Sequence, residues 1–86
     1  MKIKVPTPLY SYTNHQAYVG AAGSTLEEIT RDLDKRYPGI RFRMVDEQDQ
    51  IRPHMKFFVN GKQTFGLFTS VTETDTIVIV QAFSGG

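Results

Sequence analysis

The chain has 86 residues, room for one core and not two. Forty per cent of them are apolar, including six Phe and four Tyr, which excludes a disordered chain. Ten Lys+Arg against nine Asp+Glu leave a net charge of +1, without the basic excess of a nucleic-acid binder.

A local basic bias at Arg41, Arg43, Arg52 and Lys56 is diluted by Asp46, Glu47 and Asp49, so it reads as solvated surface. The chain has no cysteine, hence no disulfide framework, thiolate metal site or cysteine nucleophile. A small secreted domain often needs disulfide staples, so their absence fits a reducing compartment. The opening Met1-Lys2-Ile3-Lys4-Val5 is too polar for a signal peptide, and no apolar run reaches membrane-spanning length. The expected location is cytoplasmic, with no membrane and no nucleic-acid partner.

Ile3 and Val5 alternate with Lys2 and Lys4, predicting a half-buried strand. Pro6 and Pro8 weaken its pairing. Residues 10–15 read as a turn, and residues 16–19 as a second strand closing a hairpin. After the loop 20–23, Ser24-Thr25-Leu26-Glu27 matches a capping box in which Ser24 caps and Glu27 reaches back. Leu26, Ile29, Leu33 and Tyr37 share one helix face. Acidic residues lead this helix and basic ones end it, as its dipole prefers, and Pro38-Gly39 stops it.

Residues 40–54 are predicted to be irregular, with Ile40, Phe42, Met44 and Val45 partly buried, 46–50 polar and mobile, and a short extended piece at Ile51-Arg52. Residues 55–59 predict a buried strand. Asn60-Gly61 predicts a type I′ hairpin turn, since both central residues need positive φ. Residues 62–64 return, 66–70 connect, and 76–82 form a last strand of high β propensity. One amphipathic helix has one sheet to bury against, which is an α+β two-layer domain over residues 1–82. Residues 83–86 form a tail.

That tail ends in Gly85-Gly86. At an average glycine usage of about 7%, such a pair arises by chance in about 1 chain in 200, so the pair alone says little. Its position says more: it follows the last strand with only Phe83 and Ser84 between. A carboxylate is a poor electrophile and must become an acyl adenylate before a sulfur nucleophile displaces the leaving group. A tail without Cβ atoms fits a narrow enzyme channel and bends freely there. The domain surface would then supply affinity and the tail would carry the reaction.

Taken together, residues 1–5, the helix at 24–37, Phe57-Phe58-Val59-Asn60-Gly61, the acidic turn Thr72-Glu73-Thr74-Asp75, the strand from Thr76 and the terminal Gly85-Gly86 resemble the ThiS/MoaD family of sulfur carriers over essentially the whole length. The resemblance implies a ubiquitin-like β-grasp fold, a mixed sheet of four or five strands wrapping one main helix. It implies a carrier that is not itself an enzyme. Gly86 would be adenylated by an activating enzyme using ATP and Mg²⁺, then converted to a thiocarboxylate with sulfur from a donor such as a cysteine desulfurase or rhodanese. A downstream enzyme of a molybdopterin, thiamine, cysteine or similar pathway would accept the sulfur, and no cofactor would be bound by the carrier. Ser84, Gly85 and Gly86 would thread into the partner. The alternative is a ubiquitin-like modifier joined through Gly86 to lysines of other proteins. A third class would use the domain surface alone. The tail differs from the proline-rich approach common in the MoaD branch, and residues 40–54 are longer than in the shortest carriers.

If the last strand alternates, Ile77 and Ile79 face the helix while Val78 and Val80 face outward. Phe57 and Val59 then face the core and Phe58 faces outward. Phe58, Val78 and Val80, with Phe83 beside the tail, form a candidate docking patch. The alternative is that residues 40–54 or the first hairpin cover it. Other chemistry finds no support. His15 and His54 lack the close ligand spacing of a zinc site. The serines lack a nucleophile elbow. Residues 46–50 do not match a calcium loop. Gly20 to Gly23 lacks the Gly-Lys-Ser/Thr of a phosphate loop.

Overall fold

The computed structural model describes residues 1–82. Five strands, β1 (Lys2–Lys4), β2 (Tyr18–Val19), β3 (Met55–Val59), β4 (Lys62–Thr64) and β5 (Thr76–Gln81), form one sheet in the order β2-β1-β5-β3-β4. β1 runs parallel to β5, and the other pairings are antiparallel, so the sheet is mixed. Helix α1 (Leu26–Arg36) packs into the same core. Ile3, Val5, Leu26, Ile29, Leu33, Phe57, Ile77 and Ile79 are buried together, as the period-2 and helical patterns predicted. Val59, expected in the core, is only partly buried against it. This is the β-grasp arrangement, with five strands.

The helix start lies one residue later than expected. Thr25, not Ser24, is the N-cap, its Oγ1 accepting from the Glu28 amide at 3.2 Å. Glu28 reaches back and accepts from both the amide and hydroxyl of Ser24. Glu27 is thereby free to pair with Arg31 and with Arg41, whose guanidinium also bonds the Thr30 hydroxyl. The chain enters the helix tightly: a Cβ on Gly23 would lie 2.7 Å from the Glu28 Cβ and 3.0 Å from the Ile29 amide nitrogen.

Two irregular segments have more structure than the sequence predicted. Residues 10–15 were expected to be a turn, but a 3-10 helix spans Thr7–Tyr12. Pro6 and Pro8 explain it, because the fixed φ of proline suits a first helical turn. β2 shrinks accordingly to two residues. Within 40–54, a short helix α2 (Ile40–Met44) buries Ile40 and Met44 completely, together with Val45. Phe42 points the other way and is 57% exposed, contrary to the expected partial burial. Nor is the polar stretch 46–50 left loose. Asp46 accepts from the amides of Gln48 and Gln50, Asp49 pairs with Arg41, and Val45 bridges to Ile51.

Asn60 and Gly61 both have positive φ, 52° and 83°, as a type I′ turn requires. Asn60 has a second function. Its Oδ1 accepts from the Thr76 amide and its Nδ2 donates to Asp75, each at 2.9 Å, tying the β3–β4 turn to the start of β5. The Asn60 donor, with the Thr72 amide, holds the Asp75 carboxyl below its usual 3.8. A depressed folded-state pKa means that the unfolded chain binds more protons in acid, so this contribution is present above about pH 3.8 and is lost below it. We expect Asp75→Asn to lower the neutral-pH melting temperature and to flatten its fall in acid. Melting curves from neutral pH to below pH 3 check this; an unchanged acid limb would contradict it.

Candidate functional site

β5 occupies the centre of the sheet, so whatever follows it leaves from the middle of the domain. The last described link is the Ala82 amide, which donates to the His54 carbonyl at 2.7 Å. This bond extends the β3–β5 ladder one step past Gln81 and fixes where the tail begins. Phe83, Ser84, Gly85 and Gly86, the predicted threading and attachment residues, lie outside the described residues.

The outer face of the sheet follows from the register. Val78 stands between Lys4 on β1 and Phe58 on β3, and Val80 stands opposite Lys56. The structure therefore brings Phe58 and Val78 side by side, with Val80 next along the strand. Phe58 and Val78 are half-buried and Val80 is 38% exposed, so part of this apolar surface is open to solvent. The register puts Lys2, Lys4 and Lys56 on this face, and the strands contribute no carboxylate. This face is consequently apolar along its middle and cationic at its margins. Lys2 sits over the Tyr18 ring at 4.5 Å.

A groove of about 500 Å³ adjoins the tail root, where Val78 and Val80 meet Pro6, Pro8 and Tyr10, with Lys4 and Gln81 at its margins. Sequence reasoning missed Pro6, Pro8 and Tyr10, reading them only as strand breakers and a turn. The available signal was topological: if β1 and β5 run parallel, the residues leaving β1 meet the end of β5. On the neighbouring side, a second hollow is lined by Pro8, Ser11, Tyr12, Arg43, His54 and Gln81. There the Arg43 Nε donates to the Tyr12 hydroxyl at 2.7 Å, and this bond pushes the guanidinium pKa further up. Among the described residues, no group of three or more His, Cys, Asp or Glu is placed to hold a metal ion. No described helix is long and apolar enough to cross a membrane.

The site is thus a central strand that delivers its last residues beside an open apolar groove, on a face without acidic side chains. Comparison with known proteins places the chain in a family. The Mycobacterium tuberculosis sulfur carrier protein CysO is 32% identical over 89 residues, covering 98% of this chain and 96% of the relative. A chain in the crystal structure of the Amycolatopsis orientalis BexX/CysO complex superposes with a TM-score of 0.90 at 32% identity, over 99% of this chain and 98% of that one. Small archaeal modifier protein 1 of Methanosarcina acetivorans shares the fold, with a TM-score of 0.81 over 99% of this chain and 94% of its own, at 20% identity. The ThiS family model matches residues 3–86, and the chain belongs to the ThiS family.

Proposed function

We propose that this protein is a sulfur carrier that acts as a substrate of other enzymes and performs no catalysis itself. Its Gly86 carboxylate attacks the α-phosphorus of ATP, held with Mg²⁺ by an activating enzyme, and releases pyrophosphate. The terminal sulfur of a persulfide, on a donor such as a cysteine desulfurase or rhodanese, then displaces AMP to form an acyl disulfide. A second thiol attacks the donor-side sulfur, forming a disulfide with the donor and releasing the thiocarboxylate. A downstream enzyme takes that sulfur. The observation that carries this reading is the exit of the chain from the central strand beside an open groove, with the only Gly-Gly tail of the sequence following. Likeness to CysO at 32% identity supports the CysO branch, whereas the modifier reading draws on a likeness of fold alone.

Incubation with ATP, an activating enzyme and a sulfide source should raise the intact mass by the difference between oxygen and sulfur. No gain with any of a panel of ATP-dependent activating enzymes would overturn the reading. The docking patch has its own test. Phe58→Asp puts a charge beside Val78 on the outer face without touching the buried side of β3. We expect an unchanged melting temperature and a rise in the KM for adenylation of about tenfold or more, as for loss of a central apolar interface contact. Unchanged adenylation with an intact fold would remove Phe58 from the docking surface.

A further inference from the structure

Three of the five arginines, Arg31, Arg36 and Arg41, pair with carboxylates among the described residues. The other two, Arg43 and Arg52, pair with none, and they converge. Both line one hollow of about 210 Å³ with Phe42 and His54. Each is already held in place by its inner nitrogen. The Arg43 Nε donates to the Tyr12 hydroxyl, and the Arg52 Nε donates to the Phe42 carbonyl, both at 2.7 Å. The Arg52 guanidinium lies 4.5 Å from the centre of the exposed Phe42 ring. The outer Nη groups of both have no hydrogen-bond partner among the described residues. Two guanidinium forks with locked stems, without a carboxylate partner among the described residues and lining one hollow, are preorganised for bidentate contact with carboxylate oxygens.

The hollow also touches the tail root. His54 lines it, and the His54 carbonyl receives the Ala82 amide, the last described link before the tail. Arg43 and His54 line the adjoining hollow that reaches Gln81 as well. We propose that Arg43, Arg52 and His54 form a second docking site, separate from the sheet face, that receives a carboxylate-bearing segment of the protein partner handling the tail. The partner's role rests on the sulfur-carrier reading; the site itself does not. A partner gripping the apolar groove on one side of the tail root and this cationic hollow on the other would hold the tail from both flanks. Phe42 then has a reason to be exposed: it supports Arg52 and offers apolar contact to the arriving segment.

Titration of the isotope-labelled wild-type chain with a hexaglutamate peptide, followed by NMR, tests the site. The expected shifts fall on the Arg43 and Arg52 Nε–H signals and on the amides of Phe42, Arg52 and His54, and shrink with added salt. Arg43→Gln with Arg52→Gln should weaken peptide binding about tenfold or more, as for loss of charge-assisted hydrogen bonds. Shifts centred on Lys4 and Lys56, or equal shifts with inorganic phosphate, would overturn the proposal, as would full peptide binding by the double variant. The wild-type map decides the matter even if the double variant folds poorly. In a second arm, the double variant should raise the KM of the carrier for its activating enzyme and leave kcat unchanged; an unchanged KM counts against the site. If the wild-type chain is never adenylated, the sulfur-carrier reading fails while the peptide map still decides the site.

Discussion

Removal of Gly86 alone is expected to abolish sulfur loading while leaving the melting temperature unchanged. The truncated chain still ends in a glycine carboxylate, so the chemistry of the group is intact and only its reach has changed. One extended residue spans about 3.3–3.6 Å. The domain cannot follow the shortened tail inward, because the Ala82 amide is fixed to the His54 carbonyl and β5 is paired along both edges. The carboxylate would therefore stop short of the α-phosphorus by about that length, and misplacement of about 1 Å already costs on the order of a hundredfold in rate. Stability should not change, since among the described residues the buried core ends at Ile79. Intact mass after incubation with activating enzyme, ATP and sulfide gives the result. A truncated chain that gains sulfur as fast as the full one would refute a length-matched tail.

Legibility in the sequence tracked how local the determining interactions are. The α1 face, the alternation in β5 and the Asn60-Gly61 turn are set within a few residues, and they were predicted in place. The cap was misread because Ser24-Thr25-Leu26-Glu27-Glu28 fits two capping boxes one residue apart. What selects the later register is non-local: Glu27 is drawn to Arg41, leaving Glu28 to close the box. Helix α2 was missed because five residues carry too little periodicity, although Ile40 and Met44 do stand four apart. The groove residues Pro6, Pro8 and Tyr10 become part of the site only through the parallel pairing of β1 with β5, 74 positions away at Lys4↔Val78. Arg43 and Arg52 looked like ordinary solvated charge because the sequence does not show which carboxylates the other arginines occupy.

The two faces of β3 should respond to substitution in opposite ways. Phe57→Ala is expected to cost about 3–5 kcal/mol, the range for a fully buried aromatic cut back to a methyl group. Phe57 has no exposed surface and stands opposite Ile79 on one side and Thr64 on the other, at the point where β3 links β4 to the rest of the sheet. Collapse around the gap is limited, because the ladders on both edges of β3 hold its backbone in register. Domains of this size hold roughly 5–15 kcal/mol in total and small ones lie toward the lower end, so a measurable fraction should unfold near body temperature. Urea unfolding should show a lower midpoint with an unchanged slope. A loss under about 1 kcal/mol would mean that the site repacks and that Phe57 is not a keystone of this core. Sulfur loading by Phe57→Ala should fall only in proportion to the unfolded fraction and recover on cooling toward the stability maximum. Phe58→Asp should show the reverse, a folded chain loaded poorly at every temperature. That contrast between adjacent residues separates what β3 contributes to the fold from what it contributes to docking.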